Sequence, residues 1–332
     1  GEFENVKIGD KDGNYKDVTT TIHDNTNTGT ETDVDSVKIV LVAVSSLTTT
    51  IADITNPDGT LNIDNTNETP EGGNLYYIAV AVDSTGKPLV TQGGTVTINY
   101  GTTTAGSDKD ATAGTDYNNT TVVSTTIGTV FSVNAKDDYY AEGNENFTVK
   151  ITNLTGSPYE SPSIDTSNDT VISTIKDNPA KVEQPDTGTG NDNPTDGSYG
   201  EEDTVYAIIT GPTDVNEGDT TTSYTIKLVD KDGIEVVVTK DTKITVTYNN
   251  STTQDGDTEY NNGNTIEVTI PVNSSSNTFT VDTIDDPYKD DEEKYKLTIT
   301  DVENTGEFEN VKIGDKNGDY KDTTTTIHDN SN

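Results

Sequence analysis

The chain has 332 residues and a formal net charge of −39, because 59 Asp and Glu side chains are set against only 20 Lys. This charge excludes nucleic acid as a natural partner, since a polyanion is repelled by the phosphate backbone, and no apolar run comes near the roughly 20 residues that membrane insertion requires. Cysteine is absent, which excludes disulfides and thiolate zinc sites, so the excess of carboxylates favours cations as partners.

The first 27 residues return almost unchanged at the other end of the sequence. Residues 1–27 and 306–332 differ at four positions only. The sequence therefore predicts that residues 1–30 are the C-terminal strands of a preceding repeat. Near-identical repeats are typical of arrays, so we expect the chain to be an excerpt of a longer protein.

Strands with one apolar face are predicted along the rest of the chain. Apolar and polar side chains alternate, as in half-buried strands, in residues 96–100, 147–151, 224–228, 244–248, 279–281 and 295–299. Thr occupies many of the outward positions and suits a pleated surface because it is β-branched. No apolar pattern of helical period and length is present. The prediction is an all-β fold.

A weaker repeat relates the two halves and predicts two domains. Residues 94–100 match 242–248 in the same order of strands. Residues 31–178 and 204–332 are each predicted to form one tandem immunoglobulin-like β-sandwich domain, of a size typical for that fold. Residues 179–203 are rich in Pro, Gly and Asp and are predicted to be a linker.

One stretch of the first domain has no counterpart in the second. Residues 47–67 are an insertion by this comparison. We expect them to form an added hairpin or a surface loop.

Both predicted domains carry acidic residues at matched places beside strand ends. They are Glu71, Asp116, Asp137, Asp138, Glu142 and Glu145 in the first, and Glu217, Glu259, Asp285, Asp286, Asp290 and Glu293 in the second. Loops of a sandwich gather at its ends, and carboxylates brought together there repel one another unless they are protonated or neutralised. Ca²⁺ binds six to eight oxygens with loose geometry, so calcium is the predicted ligand. A solvated acidic surface is the alternative for any single residue.

Asp177 and Asp329 close the two domains at matched positions. Each has two open interpretations, a ligand to a calcium ion at a domain junction or an Asx turn. Residues 10–14 and 315–319 resemble the opening of an EF-hand loop, but Thr occupies the twelfth position where that loop needs Glu. A glycine-containing hairpin turn is the preferred interpretation of both.

Residues 137–147 resemble the signature of Calx-beta domains in their Asp-Asp pair, the two Glu that follow and the final Phe. Residues 113–117 and Glu71 agree with that family in order and spacing. The resemblance implies an immunoglobulin-like sandwich that binds Ca²⁺ in loops at one end. The second copy departs from the pattern at Glu259, which stands where the first copy has Asp116.

The tandem layout, the acidity and the lack of Cys also resemble the extender repeats of large secreted RTX-type bacterial adhesins. This resemblance implies that Ca²⁺ stiffens the domains and their junctions. The leading hypothesis is a non-catalytic, calcium-rigidified extender on the bacterial cell surface, which projects a distal binding domain for adhesion and biofilm formation. Its expected partners are Ca²⁺, neighbouring repeats of the same chain and a surface ligand of the parent adhesin.

Two other functions are left open by the sequence. The first is a calcium-dependent adhesion module for a sugar or peptide, with residues 47–67 as its expected address. The second is an accessory domain of a secreted hydrolase. Catalysis by the chain itself is not expected, because carboxylates repeated in both copies indicate a structural role rather than one catalytic pair across a cleft.

Overall fold

The computed structural model describes residues 8–21, 36–103, 109–118, 123–177, 199–219, 222–289 and 292–329. These residues contain nineteen β-strands and one short 3-10 helix, Ile51–Ile54. The all-β prediction is confirmed. Within the same residues, no helix has the length and apolar character needed to cross a membrane.

Ten strands make up the first repeat. They are β1 Ser36–Val44, β2 Thr66–Pro70, β3 Asn74–Val82, β4 Thr95–Gly101, β5 Lys109–Asp110, β6 Val123–Thr126, β7 Val130–Asn134, β8 Glu145–Thr155, β9 Ser161–Ile164 and β10 Thr170–Lys176. One sheet has the order β7-β3-β1-β9, and the other has the order β2-β10-β8-β4-β6 with β5 beside β8. The two sheets enclose an apolar core between them.

Nine strands make up the second repeat. They are β11 Thr204–Thr210, β12 Asp214–Asn216, β13 Ser223–Val229, β14 Thr242–Asn250, β15 Thr265–Ile270, β16 Ser276–Thr280, β17 Glu293–Val302, β18 Asn310–Ile313 and β19 Asp322–His328. The sheet orders are β16-β13-β11-β18 and β12-β19-β17-β14-β15. Strand for strand this is the topology of the first repeat without β5, so the two halves are copies of one sandwich.

The core of each sandwich is built from alternating side chains of both sheets, with hydroxyl groups hydrogen-bonded inside it. In the first repeat the Tyr77 hydroxyl lies 2.6 Å from Ser173 Oγ. In the second, the Tyr224 hydroxyl lies 2.6 Å from both the Tyr295 hydroxyl and Thr325 Oγ1. Buried hydroxyls need such partners, which allows a chain rich in Tyr and Thr to form a dry core.

The insertion at residues 47–67 covers the outer face of the first repeat rather than forming a two-stranded hairpin. It contains the 3-10 helix and one isolated bridge between Thr55 and Leu61. Leu61 is 6% exposed and lies in a second apolar cluster with Val40 and Val80, two core residues of β1 and β3. These strands are therefore buried on both faces.

The turn at residues 315–319 is not part of a hairpin, which corrects the prediction. Asp315 Oδ1 accepts hydrogen bonds from the N–H groups of Asn317 and Asp319, at 2.9 and 2.8 Å. The flanking strands β18 and β19 belong to different sheets, so the turn carries the chain across the sandwich. The matching turn at residues 10–14 has the same hydrogen bonds to Asp10.

Two predicted segments fall largely beyond the residues that the structure describes. Of residues 1–30 only 8–21 are described, and of residues 179–203 only 199–203. The assignment of the first segment to a preceding repeat, and of the second to a linker, stay predictions.

Replacing Leu61 with Ala should destabilise the first repeat by about 2–4 kcal/mol, because it removes buried methyl groups and leaves a cavity. Urea unfolding of the wild-type and variant chains measures this. Leu47→Ala is the matched control, since Leu47 is in the same segment but 59% exposed, and it should change the stability by less than about 0.5 kcal/mol. Equal effects would mean that the segment does not pack on the sheet.

Candidate metal centre

The register of two parallel strands places Glu71 beside Asp177. In the β2–β10 pair, Pro70 lies opposite Lys176, and Glu71 N–H donates to the Lys176 carbonyl at 3.0 Å. Glu71 and Asp177 are the next residues of their strands. Both side chains therefore lie at the same end of the sheet, just beyond the paired strands.

Two glycines form the turn that carries Glu71. Gly72 has φ 70°, in the left-handed region that favours glycine. A Cβ on Gly73 would lie 2.0 Å from Thr69 Oγ1, so a larger residue does not fit there. A Cβ on Gly72 would lie 3.5 Å from the Asp137 carboxylate, which shows how closely the turn approaches the neighbouring acidic loop.

Three carboxylates of the first repeat converge closely enough to share one ion. One oxygen each from Asp116, Glu142 and Glu145 lies within 4.8 Å of the other two. Because Ca²⁺ binds oxygens at about 2.3–2.6 Å, two ligands of one ion are at most about 5 Å apart. The group fits this limit. Only 5% of Glu145 and 9% of Asp116 is exposed.

Backbone hydrogen bonds fix the loops that supply this group. Asp116 N–H donates to the Thr112 carbonyl and Lys136 N–H donates to the Asp116 carbonyl, both at 2.9 Å. The second bond ties the Asp116 loop to the Asp137-Asp138 pair that follows Lys136. Asp138 Oδ1 in turn accepts a hydrogen bond from Tyr140 N–H at 2.8 Å.

Several carboxylate oxygens are buried at this end of the sandwich without a hydrogen-bond partner. They include Glu71 Oε2, Asp177 Oδ1 and both carboxylate oxygens of Glu309, a residue of the second repeat. Asp177 Oδ2 accepts a hydrogen bond from Gly143 N–H at 2.7 Å. Buried polar groups in proteins are almost always satisfied, so these oxygens are suited to a cation.

The electrostatics of the cluster favour protonated carboxyls when no cation is bound. Burial, with the nearby charges of Asp138 and Glu309, raises the pKa of Glu71 to about 10. Burial, followed by Asp116, raises the pKa of Glu145 to about 8. Burial and the surrounding carboxylates raise the pKa of Glu309 to about 8 as well. A carboxyl whose pKa is raised in this way is ionised at neutral pH only at a cost in free energy.

The pKa values of Asp138 and Glu142 are also raised, in both cases chiefly by burial. Lys136 opposes the shift at Asp138 and Lys109 opposes it at Glu142, but each is a smaller influence than burial. These two lysines therefore leave most of the repulsion in place.

Sequence reasoning missed Glu309 because the residue belongs to the other repeat. It lies directly before β18, far from the acidic loops of its own domain in sequence. A signal was present, however. The Gly-Glu-Phe-Glu run that contains Glu309 occurs again at residues 1–4.

The second repeat places part of its predicted set in the same register. In the β12–β19 pair, Asn216 lies opposite His328, and Glu217 N–H donates to the His328 carbonyl at 3.0 Å. Glu217 and Asp329 thus correspond to the residues that follow β2 and β10. Both are half-buried, as is Glu293 at the start of β17.

The other described members of the second set do not form a group like that of the first repeat. Glu259 and Asp285 are exposed and Asp286 is half-buried. Glu259 Oε1 instead accepts a hydrogen bond from Asp282 N–H at 3.0 Å. Asp290 lies outside the described residues. Among those described, no three acidic side chains of this repeat approach one another as closely as the group in the first repeat.

Comparisons with known proteins find likenesses of fold and no family. No protein-family model and no curated protein matches the sequence. Among solved structures, the chain is similar to the calcium binding domain CBD12 of CALX1.1, with 13% identity and a TM-score of 0.27 over 80% of this chain and 97% of that one. The apo-form Calx CBD1 domain is 13% identical, with a TM-score of 0.28 over 38% of this chain and 98% of that domain. The Yersinia pseudotuberculosis adhesin InvE is 12% identical, with a TM-score of 0.22 over 87% of this chain and 58% of that one.

In metal-free buffer the acidic end of the first repeat and its contact with the second should lose stability as the pH rises from about 5 to about 9. The carboxyls of Glu71, Glu145 and Glu309 have ordinary pKa values near 4.5 when unfolded and raised values when folded. The folded state therefore holds protons that the unfolded state releases. Their stabilising effect is complete below pH 4.5 and is lost as the pH rises through 8 to 10.

Thermal unfolding at one-unit intervals of pH measures this loss. Glu71→Gln should flatten the profile, because an amide has no proton to lose over this range. A melting temperature that stays level or rises between pH 5 and pH 9 would contradict the raised pKa values.

Proposed function

We propose that this chain is a non-catalytic, calcium-binding extender segment of a bacterial cell-surface adhesin. The observation that carries the proposal is the set of buried carboxylate oxygens, without hydrogen-bond partners, at the end of the first repeat that faces the second. Such a set suits a structural cation. It occupies the place where a tandem chain must hold its domains in line.

The donor set fits calcium better than other ions. Asp116, Glu142 and Glu145 would hold one ion, and Glu71, Asp137, Asp138 and Asp177 offer further oxygens beside them. All of these donors are carboxylates, which hard cations prefer. Ca²⁺ binds six to eight oxygen atoms in irregular geometry, whereas Mg²⁺ needs a tight octahedron and retains several waters.

The mechanism is linkage between cation binding and folding. A bound Ca²⁺ supplies the positive charge that the cluster lacks. The carboxylates can then stay ionised at neutral pH without repelling one another, and the loops that carry them are held together. Because the unfolded chain cannot offer this set, binding stabilises the folded state by mass action.

The layout of the chain supports a role as a spacer. Two copies of one sandwich follow each other, and residues 1–27 repeat the end of the second copy almost exactly. A row of such units would extend a binding domain away from a cell surface, so the proposal includes an extracellular location and a role in adhesion and biofilm formation. No catalytic role is proposed, since the converging carboxylates are buried rather than placed across an open cleft.

Calcium should raise the melting temperature of the chain strongly, and magnesium at the same concentration should not. At 100 times its dissociation constant a ligand adds about 2.7 kcal/mol, which for a domain of about 150 residues corresponds to about 5–11 °C. The measurement is thermal unfolding in EDTA, in Ca²⁺ and in Mg²⁺. No difference between EDTA and Ca²⁺ would refute the proposal.

Glu145→Gln should remove most of this calcium-induced shift, because it deletes a charge from the group of three. Glu267→Gln is a control of the same chemistry on an exposed position of β15 and should keep the full shift. If both variants keep it, the group of three is not the calcium site.

The alternative function is a ligand-binding adhesion module. A cavity in the first repeat is the candidate binding site for it. It has a volume of about 330 Å³ and is lined by Ser46 and, from the insertion, by residues that include Thr49, Asp53, Asn62 and Asp64. Such polar groups suit a sugar or a peptide. Glycan and peptide arrays, probed with the wild type and with Asn62→Ala, test this function. Binding that the variant loses would favour the module.

A further inference from the structure

An aromatic contact joins the two repeats. Tyr140 of the first repeat stacks on Phe308 of the second, with ring centroids 5.8 Å apart. Phe308 is only 3% exposed and belongs to the core of the second repeat. The Tyr140 hydroxyl also donates a hydrogen bond to the Val237 carbonyl at 3.1 Å. The loop that carries Asp138 is thereby anchored in the neighbouring domain.

Backbone hydrogen bonds between the two repeats hold the Glu309 backbone beside the Tyr139 loop of the first repeat. Ala141 N–H donates to the Glu307 carbonyl at 2.9 Å, and Glu309 N–H donates to the Tyr139 carbonyl at 3.2 Å. The Glu307 carboxylate accepts hydrogen bonds from the N–H groups of Thr239 and Lys240 in its own domain. Of the two glutamates that flank Phe308, only Glu309 therefore offers its carboxylate to the first repeat.

The Glu309 carboxylate is buried among groups of its own sign. Both of its oxygens are inaccessible and have no hydrogen-bond partner. The charges that act on it most strongly are those of Asp203, Asp177 and Asp137. Across the junction, Glu71 is only 7% exposed, its Oε2 also has no hydrogen-bond partner, and Glu309 is among the charges that act on it. The charge of one buried carboxylate thus acts on another across the junction, and each has at least one oxygen without a hydrogen-bond partner.

We propose that Glu309 is a ligand supplied by the second repeat to a cation site that Glu71 and Asp177 open in the first, so that one divalent, oxygen-seeking cation clamps the two repeats together. The proposal rests on the calcium binding proposed above and adds a ligand and a consequence. The acidic end of one domain is completed by the next domain. The cation at this place holds a junction rather than loops of a single sandwich.

Coupling between the two events follows from the shared ligand. If docking of the second repeat delivers Glu309, docking raises the affinity for the cation. By linkage, the cation then strengthens docking by the same factor. The aromatic contact of Tyr140 and Phe308 brings the domains together, and the cation fixes their angle.

The chain supplies a matched control for Glu309. Glu160 lies directly before β9, as Glu309 lies directly before β18, and the two strands pair in parallel with the first strand of their own domain. Glu160 follows Tyr159 as Glu309 follows Phe308. Glu160 is exposed. It therefore has the same position in the sandwich but lies away from the junction between the two repeats.

The first experiment is calorimetric titration of the two-repeat chain with CaCl₂. Wild type and Glu160→Gln should give the same binding isotherm. Glu309→Gln should lose one binding event or weaken it by at least about fivefold, the lower end of couplings between sites. Thermal unfolding in EDTA shows that this is not misfolding, because the neutral amide should leave the metal-free protein as stable as wild type or more so.

The second experiment measures the junction directly. The chain has no cysteine, so Ser124→Cys and Thr269→Cys, at exposed positions of β6 and β15, provide one pair of spin-label sites in different repeats. Ca²⁺ should narrow the distribution of distances between the labels in the wild type and in Glu160→Gln. In Glu309→Gln the distribution should stay as broad as in EDTA.

Each outcome decides between the two proposals. If the wild type does not bind Ca²⁺, the proposed function and the clamp both fail. If the wild type binds Ca²⁺ but Glu309→Gln binds it equally and narrows the distances equally, the clamp is overturned while calcium binding stands. Loss of both effects in Glu309→Gln alone supports the clamp.

Discussion

Burial of like charges is the constraint on which this arrangement depends. The strand register places Glu71 and Asp177 at the same end of the sheet, the loop before β8 adds Asp137 and Asp138, and Glu145 is the first residue of β8. Removing a carboxylate from water is unfavourable unless a partner compensates it. The nearby lysines oppose this only weakly. The cluster thus acquires its full stability from a proton or a cation, which makes the end of the sandwich responsive to its surroundings.

The rest of the sandwich supports such an end through the apolar core between its two sheets. Only 28% of the residues are hydrophobic, yet alternation places them inward from two sheets in each repeat. Tyrosines add both apolar area and a polar end, and a hydrogen bond such as that from Tyr224 to Thr325 satisfies the buried hydroxyl. The acidic loops are anchored in this core, because Tyr117, which follows Asp116, stacks on Phe147 with ring centroids 4.2 Å apart.

The sequence was sufficient to predict the fold and the acidic end, because both follow from short-range patterns. Alternation predicts strands, and an Asp-Asp pair beside a strand end predicts a crowded loop. It was insufficient where partners are distant in sequence. The apolar run of β1 indicates that the sheet is covered on both faces. It does not show which distant segment covers the outer face, and the structure shows that Leu61 of the insertion is part of that segment. Glu309 was missed because a contact between domains has no sequence period, and the repeated Gly-Glu-Phe-Glu run marks the segment without showing what it contacts.

Equivalent positions of the two repeats differ in exposure, and the difference follows from what each end meets. Tyr140 stacks on Phe308, whereas Tyr288, which also follows an Asp-Asp pair, is 70% exposed. Glu309 is half-buried at the junction and Glu160 is exposed. Each sandwich thus carries an acidic end and, on the opposite side of the contact, an aromatic residue followed by Glu. Two unlike, complementary ends on one unit favour head-to-tail association that does not close on itself. The contact between these two repeats therefore has the form that a linear row of such domains requires.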